Sequence, residues 1–106
     1  MILISASDAE LLALAAKANG CVQYDPFRQV FRRVVEMGFL SDDWRPLTDD
    51  SDALRLAVQL GMFTTASGLS EFQAYYSDEM ARDNKPTAAT RRAIVTIAAY
   101  HGLTLP

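Results

Sequence analysis

The chain has 106 residues, half of them apolar and 22% charged, with a formal net charge of −3. That composition excludes a disordered chain and suits one domain spanning 1–106 with a single modest core. A small negative charge is not what a phosphate-binding surface needs, nor is it acidic enough to imitate DNA.

Cys21 is the only cysteine, so no intrachain disulfide can form and a reducing compartment is expected. The opening Met1-Ile-Leu-Ile-Ser5 lacks the length and basic region of a signal peptide. No apolar run approaches the roughly 18–20 residues of a membrane span. A soluble, cytoplasmic protein without a membrane partner is expected. No linker, internal repeat or low-complexity tract divides the chain.

In chain order, the first predicted helix opens at Ser7-Asp-Ala-Glu10, a capping box in which the Ser hydroxyl and the Glu carboxylate each satisfy an orphan N–H. Leu11, Leu14, Ala15 and Ala18 form its apolar stripe, and Gly20 stands where a left-handed residue ends a helix. The next segment, Asp25 to Gly38, reads two ways. Phe27, Val30, Phe31, Val34 and Val35 follow helical spacing, with Arg28, Arg32, Arg33 and Glu36 opposite, Asp25-Pro26 as cap and Gly38 as stop. The same Val30–Val35 run is rich in β-branched and aromatic residues, and pairs equally well with Cys21–Tyr24 as a hairpin.

A second helix is capped by Thr48 or Asp49, carries Ala53, Leu56, Ala57 and Leu60 on one face, and ends at Gly61. Met62-Phe-Thr-Thr-Ala66 and Glu71-Phe-Gln-Ala-Tyr-Tyr76, separated by Ser67-Gly68, read as a hairpin, and Ser77–Lys85 as a polar loop. A third helix starts at Pro86-Thr87, runs through Ala93, Ile94, Ile97 and Ala98, and stops at Gly102.

The block Trp44-Arg-Pro-Leu-Thr-Asp-Asp-Ser-Asp-Ala-Leu-Arg-Leu-Ala-Val-Gln-Leu60 resembles one found in small phage and prophage proteins of the ABA-sandwich domain family. Ala88-Ala-Thr-Arg-Arg-Ala-Ile-Val95 is similar to the closing helix of that family, and Glu10–Ala18 to its first. Arg45 and Ser51 stand where Asn and Gly are usual, and Tyr100-His101 where small or acidic residues are common. The resemblance covers about half the chain. It implies a small α/β sandwich, an α+β fold with an antiparallel sheet of about four strands packed with three helices. It also pulls Asp25–Gly38 toward the hairpin reading. It implies almost no chemistry, since members mostly have no assigned activity.

Candidate sites are few. Asp42, Asp43, Asp49, Asp50 and Asp52 fall within eleven residues, opposed only by Arg45. Clustered carboxylates can wrap a hard cation, but the central Gly and closing Glu of a calcium loop are missing. Capping of the second helix and its dipole account for Asp49, Asp50 and Asp52 without a metal, with Asp42 and Asp43 in a turn. Trp44 reads as an aromatic packed across the end of a small core, and Arg45 as a contact residue. Arg91 and Arg92 oppose the dipole at a helix start, so one of them is expected to clamp onto the Asp49–Asp52 turn. With Arg55 they are alternatively an anion-binding face.

Eight of the ten basic residues are Arg, and Arg28, Arg32 and Arg33 form a basic stripe that Tyr75 and Tyr76 could extend as stacking groups. His101 reads as a helix C-terminal cation, and no catalytic arrangement, nucleotide loop or zinc spacing is present. No cofactor is expected, and an enzymatic role is not supported by any motif.

The resemblance implies one expectation: a phage- or prophage-encoded accessory protein, acting in the bacterial host cell by binding a host or phage protein. Inhibition of a host defence system is its most concrete form. The rivals are a nucleic-acid binder using the Arg/Tyr surface, and a metal-dependent enzyme using the Asp42–Asp52 cluster. Pairing through an open sheet edge would give a homodimer.

Overall fold

The computed structural model describes residues 7–20, 22–27, 29–34 and 40–105. Its element order is α1 (Asp8–Asn19), β1 (Val22–Asp25), β2 (Val30–Val34), β3 (Leu40–Asp43), α2 (Asp50–Gln59), α3 (Ala66–Asp83) and α4 (Pro86–Leu103). The class is α+β. Among the described residues no helix is long and apolar enough to cross a membrane.

The helix signals act as the sequence suggests. Ser7 caps α1 in a complete capping box, and Gly20 ends it at φ +79°. Asp49, not Thr48, caps α2, its carboxylate accepting from the Asp52 N–H. Gly61 follows α2 at φ +73°. Pro86 sits in the first turn of α4.

The segment after α1 is a hairpin. β1 and β2 pair antiparallel with Val22 opposite Arg33 and Asp25 opposite Val30, and β3 adds to the far side of β2. Helical spacing of Phe27–Val34 loses here because the half-buried Val and Phe side chains fit a pleated surface. The rest of that segment, including Val35, Glu36 and Gly38, lies outside the described residues.

The expected second hairpin does not form. Residues 66–83 are one helix, α3, which also replaces the loop expected at Ser77–Lys85. The count is therefore four helices and three strands among the described residues, against three helices and about four strands expected. Ser67-Gly68, taken as a turn, is the first turn of α3: the Thr65 hydroxyl accepts from the Gly68 N–H at 3.0 Å. Leu69, Phe72, Tyr76 and Met80 recur at helical spacing, and their ring stacking runs along the helix, Phe72 to Tyr76. Asn84, at φ +49°, caps the C-terminus.

Helix α4 is the centre of the packing, and α1, α2 and α3 each lie against it. Its residues Ala93–Val95 and Ile97–Ala99 are all buried, so it is covered on all sides. The core joins these residues to Leu11, Leu56, Met62 and Trp44. Gly102 is not the stop signal it resembled, since α4 runs on to Leu103. It is buried inside the last turn, where a Cβ would run into the carbonyl oxygen of Leu14 on α1.

Gly102→Ala tests this close approach. Alanine gains about 1 kcal/mol of helix propensity over glycine. A clash with backbone cannot be relieved by a rotamer change, and overpacking of that kind costs about 1–3 kcal/mol. The expected outcome is net destabilisation, read as a lower midpoint in urea unfolding.

Candidate interaction surface

Trp44 connects the sheet to the helices. Its N–H donates to the Phe31 carbonyl at 2.7 Å, and its ring, 3% exposed, meets Phe31 edge-on at 6.2 Å. The turn that follows is built around Asp52. This carboxylate, 5% exposed, accepts from the Arg45 N–H at 2.9 Å and from Arg55 Nη1 at 3.1 Å.

Arg91 reaches the same turn from α4. Its Nε donates to the Leu47 carbonyl at 2.9 Å, and its Nη1 pairs with Asp50 Oδ1 at 2.6 Å. The 44–60 and 88–95 segments are therefore in direct contact. Arg92 points elsewhere, to Asp8 Oδ1 at 2.7 Å and Glu79 Oε2 at 3.7 Å, tying α4 to α1 and α3 instead of to the turn. Arg55, Arg91 and Arg92 thus each hold a carboxylate, and do not form one anion-binding face.

The acidic cluster disperses in the same way. Asp43 pairs with Arg45 at 2.7 Å, Asp49 caps α2, Asp50 faces Arg91 and Asp52 faces Arg45 and Arg55. The Asp42 side chain lies outside the described residues. Among those described, no group of three His, Cys, Asp or Glu residues could hold a metal ion. His101, on the last turn of α4, lies 3.7 Å from Glu71 of α3.

Nor is an Arg/Tyr stacking surface assembled. Arg28 lies outside the described residues. Arg32 and Arg33 are successive on β2, so they leave opposite faces of the sheet. Arg32 pairs with Asp25 at 3.3 Å. Arg33 lines a small cleft of about 180 Å³ with Trp44, Asp52 and Arg55. Tyr75 packs on the core and on Tyr100 at 5.8 Å, and Tyr76 stacks on Phe72.

Two other surfaces emerge. The first is the tip of the β1–β2 hairpin. Asp25 organises it: Oδ1 accepts from the Phe27 N–H at 3.0 Å, Oδ2 meets Arg32, and its carbonyl accepts from Gln29 N–H at 2.8 Å. Pro26 presets the turn, and Gln29 closes it at φ +56°. This frame holds out Phe27, which is 98% exposed. Tyr24, 48% exposed, belongs to β1 three residues earlier in the chain and has its ring edge-on to Phe31 at 5.2 Å. Phenylalanine contributes nothing to forming a turn, so its cost to solubility here has no return within the fold.

The second surface is a cleft of about 300 Å³ between α2 and α4, lined by Leu54, Phe63, Pro86 and Ile94, with the Asp50–Arg91 pair among its walls. Leu54 and Val58 project from α2 away from its buried Ala53–Leu56–Ala57 face, each just over half exposed.

The sequence reading passed over both. In the helical reading of Asp25–Gly38, Phe27 belongs to the apolar stripe, although Asp-Pro is also a turn-initiating pair. Leu54 and Val58 make α2 apolar over more than one stripe, a signal of a second contact.

Compared with models of known families, with curated proteins and with solved structures, the chain gives no match to any of the three.

Burial makes Asp52 the residue that this region depends on. Asp52→Ala leaves the Arg45 N–H without its acceptor and should destabilise by about 2–3 kcal/mol, as charged hydrogen bonds do. Asp50→Ala breaks only an ion pair whose carboxylate is 74% exposed, and should cost under about 1 kcal/mol. Chemical unfolding of the two variants measures the contrast.

Tyr75 supplies a pH test. Burial, then the neighbouring Tyr100, Glu71 and Asp78, push its phenol above the usual 10.0. The folded state therefore keeps this proton longer than the unfolded state does. The contribution is full below pH 10.0 and is lost as pH rises through the folded-state value. The melting temperature should fall more steeply above that pH in the wild type than in Tyr75→Phe.

Proposed function

We propose that this chain is a binding protein that acts by seating the tip of its β1–β2 hairpin in an apolar recess of another protein. The observation that supports this most is Phe27, 98% exposed on a turn fixed by the Asp25 carboxylate. A turn whose backbone is fixed before binding loses little backbone freedom when the exposed ring it carries docks, which suits an interface anchor. Tyr24, 48% exposed on the same hairpin, adds to the apolar area that such a recess would cover.

On the resemblance of the 44–60 and 88–95 blocks, the chain is read as a phage or prophage accessory protein with a variant of the ABA-sandwich arrangement. Its target is then a protein of the bacterial cytoplasm, and inhibition of a host defence protein is the concrete form of the proposal.

Affinity capture from bacterial lysate with wild type and Phe27→Ala, each with and without nuclease, tests this. A stoichiometric protein that survives nuclease, and that Phe27→Ala binds about thirtyfold more weakly at an unchanged melting temperature, is expected. Partners that vanish with nuclease would transfer the surface to nucleic acid, with Tyr24 and Phe27 as the stacking groups. Equal capture by both proteins would remove the hairpin from the function.

A further inference from the structure

The geometry points to β1 as an open sheet edge that takes an extended segment of the partner as an added strand. The inference rests on the reading of the hairpin as the binding surface, and adds the form in which the partner is recognised.

The direction of the β1 backbone follows from a bond on the far side of β2. The Phe31 carbonyl accepts from the N–H of Trp44, the residue after β3, so it points toward β3 and away from β1. In a strand the N–H and C=O of one residue leave on the same side, and the side alternates from residue to residue. Tyr24 lies opposite Phe31 and Val22 opposite Arg33, so these pairs exchange no hydrogen bonds across the β1–β2 ladder. The edge-on contact of the Tyr24 and Phe31 rings agrees, because side chains stand closest in such pairs. Gln23 and Asp25 therefore bond inward to β2, and the main-chain groups of Val22 and Tyr24 face outward. The sheet order is β1-β2-β3, so no described strand receives them.

Two N–H and two C=O groups, repeating about 7 Å apart, match the spacing of another extended chain. A helix spends its own main-chain groups internally and cannot answer them. Sheet edges usually carry a lysine, a proline or a bulge that prevents such pairing. β1, Val22-Gln-Tyr-Asp25, carries none of these, and its register against β2 is unbroken. The other edge, β3, has an irregular register against β2, and half of Leu40-Ser-Asp-Asp43 is acidic. The open edge is therefore β1.

Side chains set the sequence pattern of the added strand. Val22 and the half-exposed Tyr24 lie on the face of the sheet that carries Phe31 and packs on the core. Residues of the incoming strand on that face meet the Tyr24 ring and are apolar. Their neighbours lie beside the exposed Gln23 and are polar. The partner chemistry is thus an extended segment of alternating apolar and polar residues. A second copy of β1 offers the same main-chain groups, but a pair of four-residue strands falls far short of the area of about 1,000 Å² that a stable dimer needs. The partner's segment gains a second contact from Phe27, two residues beyond the end of β1.

A displayed library of random octapeptides, selected on the wild-type chain, supplies the probe: a synthetic peptide of the most enriched sequence. Amide hydrogen exchange is followed by NMR. In the free chain the Val22 and Tyr24 amides should exchange fast and those of Gln23 and Asp25 slowly, and the peptide should slow Val22 and Tyr24. Peptide affinity is then compared for Tyr24→Ala and Tyr24→Pro. Proline at an outward-facing edge position leaves the β1–β2 ladder whole, which a melting curve checks. The proline variant should bind about tenfold more weakly than the alanine variant, the effect of one lost main-chain hydrogen bond. Should proline unfold the chain, an ester in place of the Tyr24 amide makes the same comparison against wild type.

No enriched sequence, a peptide that leaves the Tyr24 amide fast, or equal binding by the two variants would each overturn the inference. Protection of Tyr24 that rises with chain concentration in the absence of peptide would give the edge to a second copy, and overturn it too. Capture of a target that needs Phe27 but is unchanged in Tyr24→Pro would overturn the added strand and keep the Phe27 anchor. Capture that Tyr24→Pro weakens and Phe27→Ala does not would do the reverse.

Discussion

The close approach of α1 and α4 is the constraint on which the other elements depend. Alanine dominates the surfaces that meet here: Ala15 and Ala16 on α1, and Ala98 and Ala99 on α4, with Gly102 against the backbone of Leu14. Small side chains bury little area each, so cohesion must come from many dispersion contacts between closely spaced backbones. A core of this kind tolerates little added volume. It also leaves α4 wide enough in its contacts to serve α2 and α3 as well.

The polar framework holds the sheet and the helices to that core. Asp52 stands between the Trp44–Arg45 backbone and Arg55, while Arg91 closes the same turn from α4. These groups look like a reactive collection in the linear sequence, because they bring five aspartates and several arginines close together. In the fold each described carboxylate is directed to a cap, a backbone N–H or a guanidinium, and the arrangement becomes structural. Removing the buried member costs more than removing the exposed one, because only the buried one cannot be replaced by water.

Against that framework the hairpin tip and the α2–α4 cleft stand out as surfaces that the fold does not consume. Asp25 spends its carboxylate on the turn and on Arg32, and so fixes the position of a ring that makes no contribution to the core. The cleft has apolar walls with the Asp50–Arg91 ion pair beside them.

Much of the architecture was legible in the residues themselves. Local signals fixed both ends of α1 and α2 and the start of α4: the Ser7 box, the Asp49 cap, Pro86, Gly20 and Gly61. Trp44 and the Arg91 contact were also readable, since a turn rich in Asp beside a helix start rich in Arg admits few arrangements. The Asp25–Gly38 segment was not decidable locally, because its Val and Phe spacing serves a strand as well as a helix, and packing against Trp44 made the choice. The α3 segment went the other way: aromatic residues with strand propensity became helical once Phe72 and Tyr75 could reach the core beside α4. Local sequence thus determined where α1 and α2 start and stop and where α4 starts. Only tertiary packing decided which apolar residues were buried and which, Phe27 above all, remained outside, because burial depends on what the rest of the chain brings to each face.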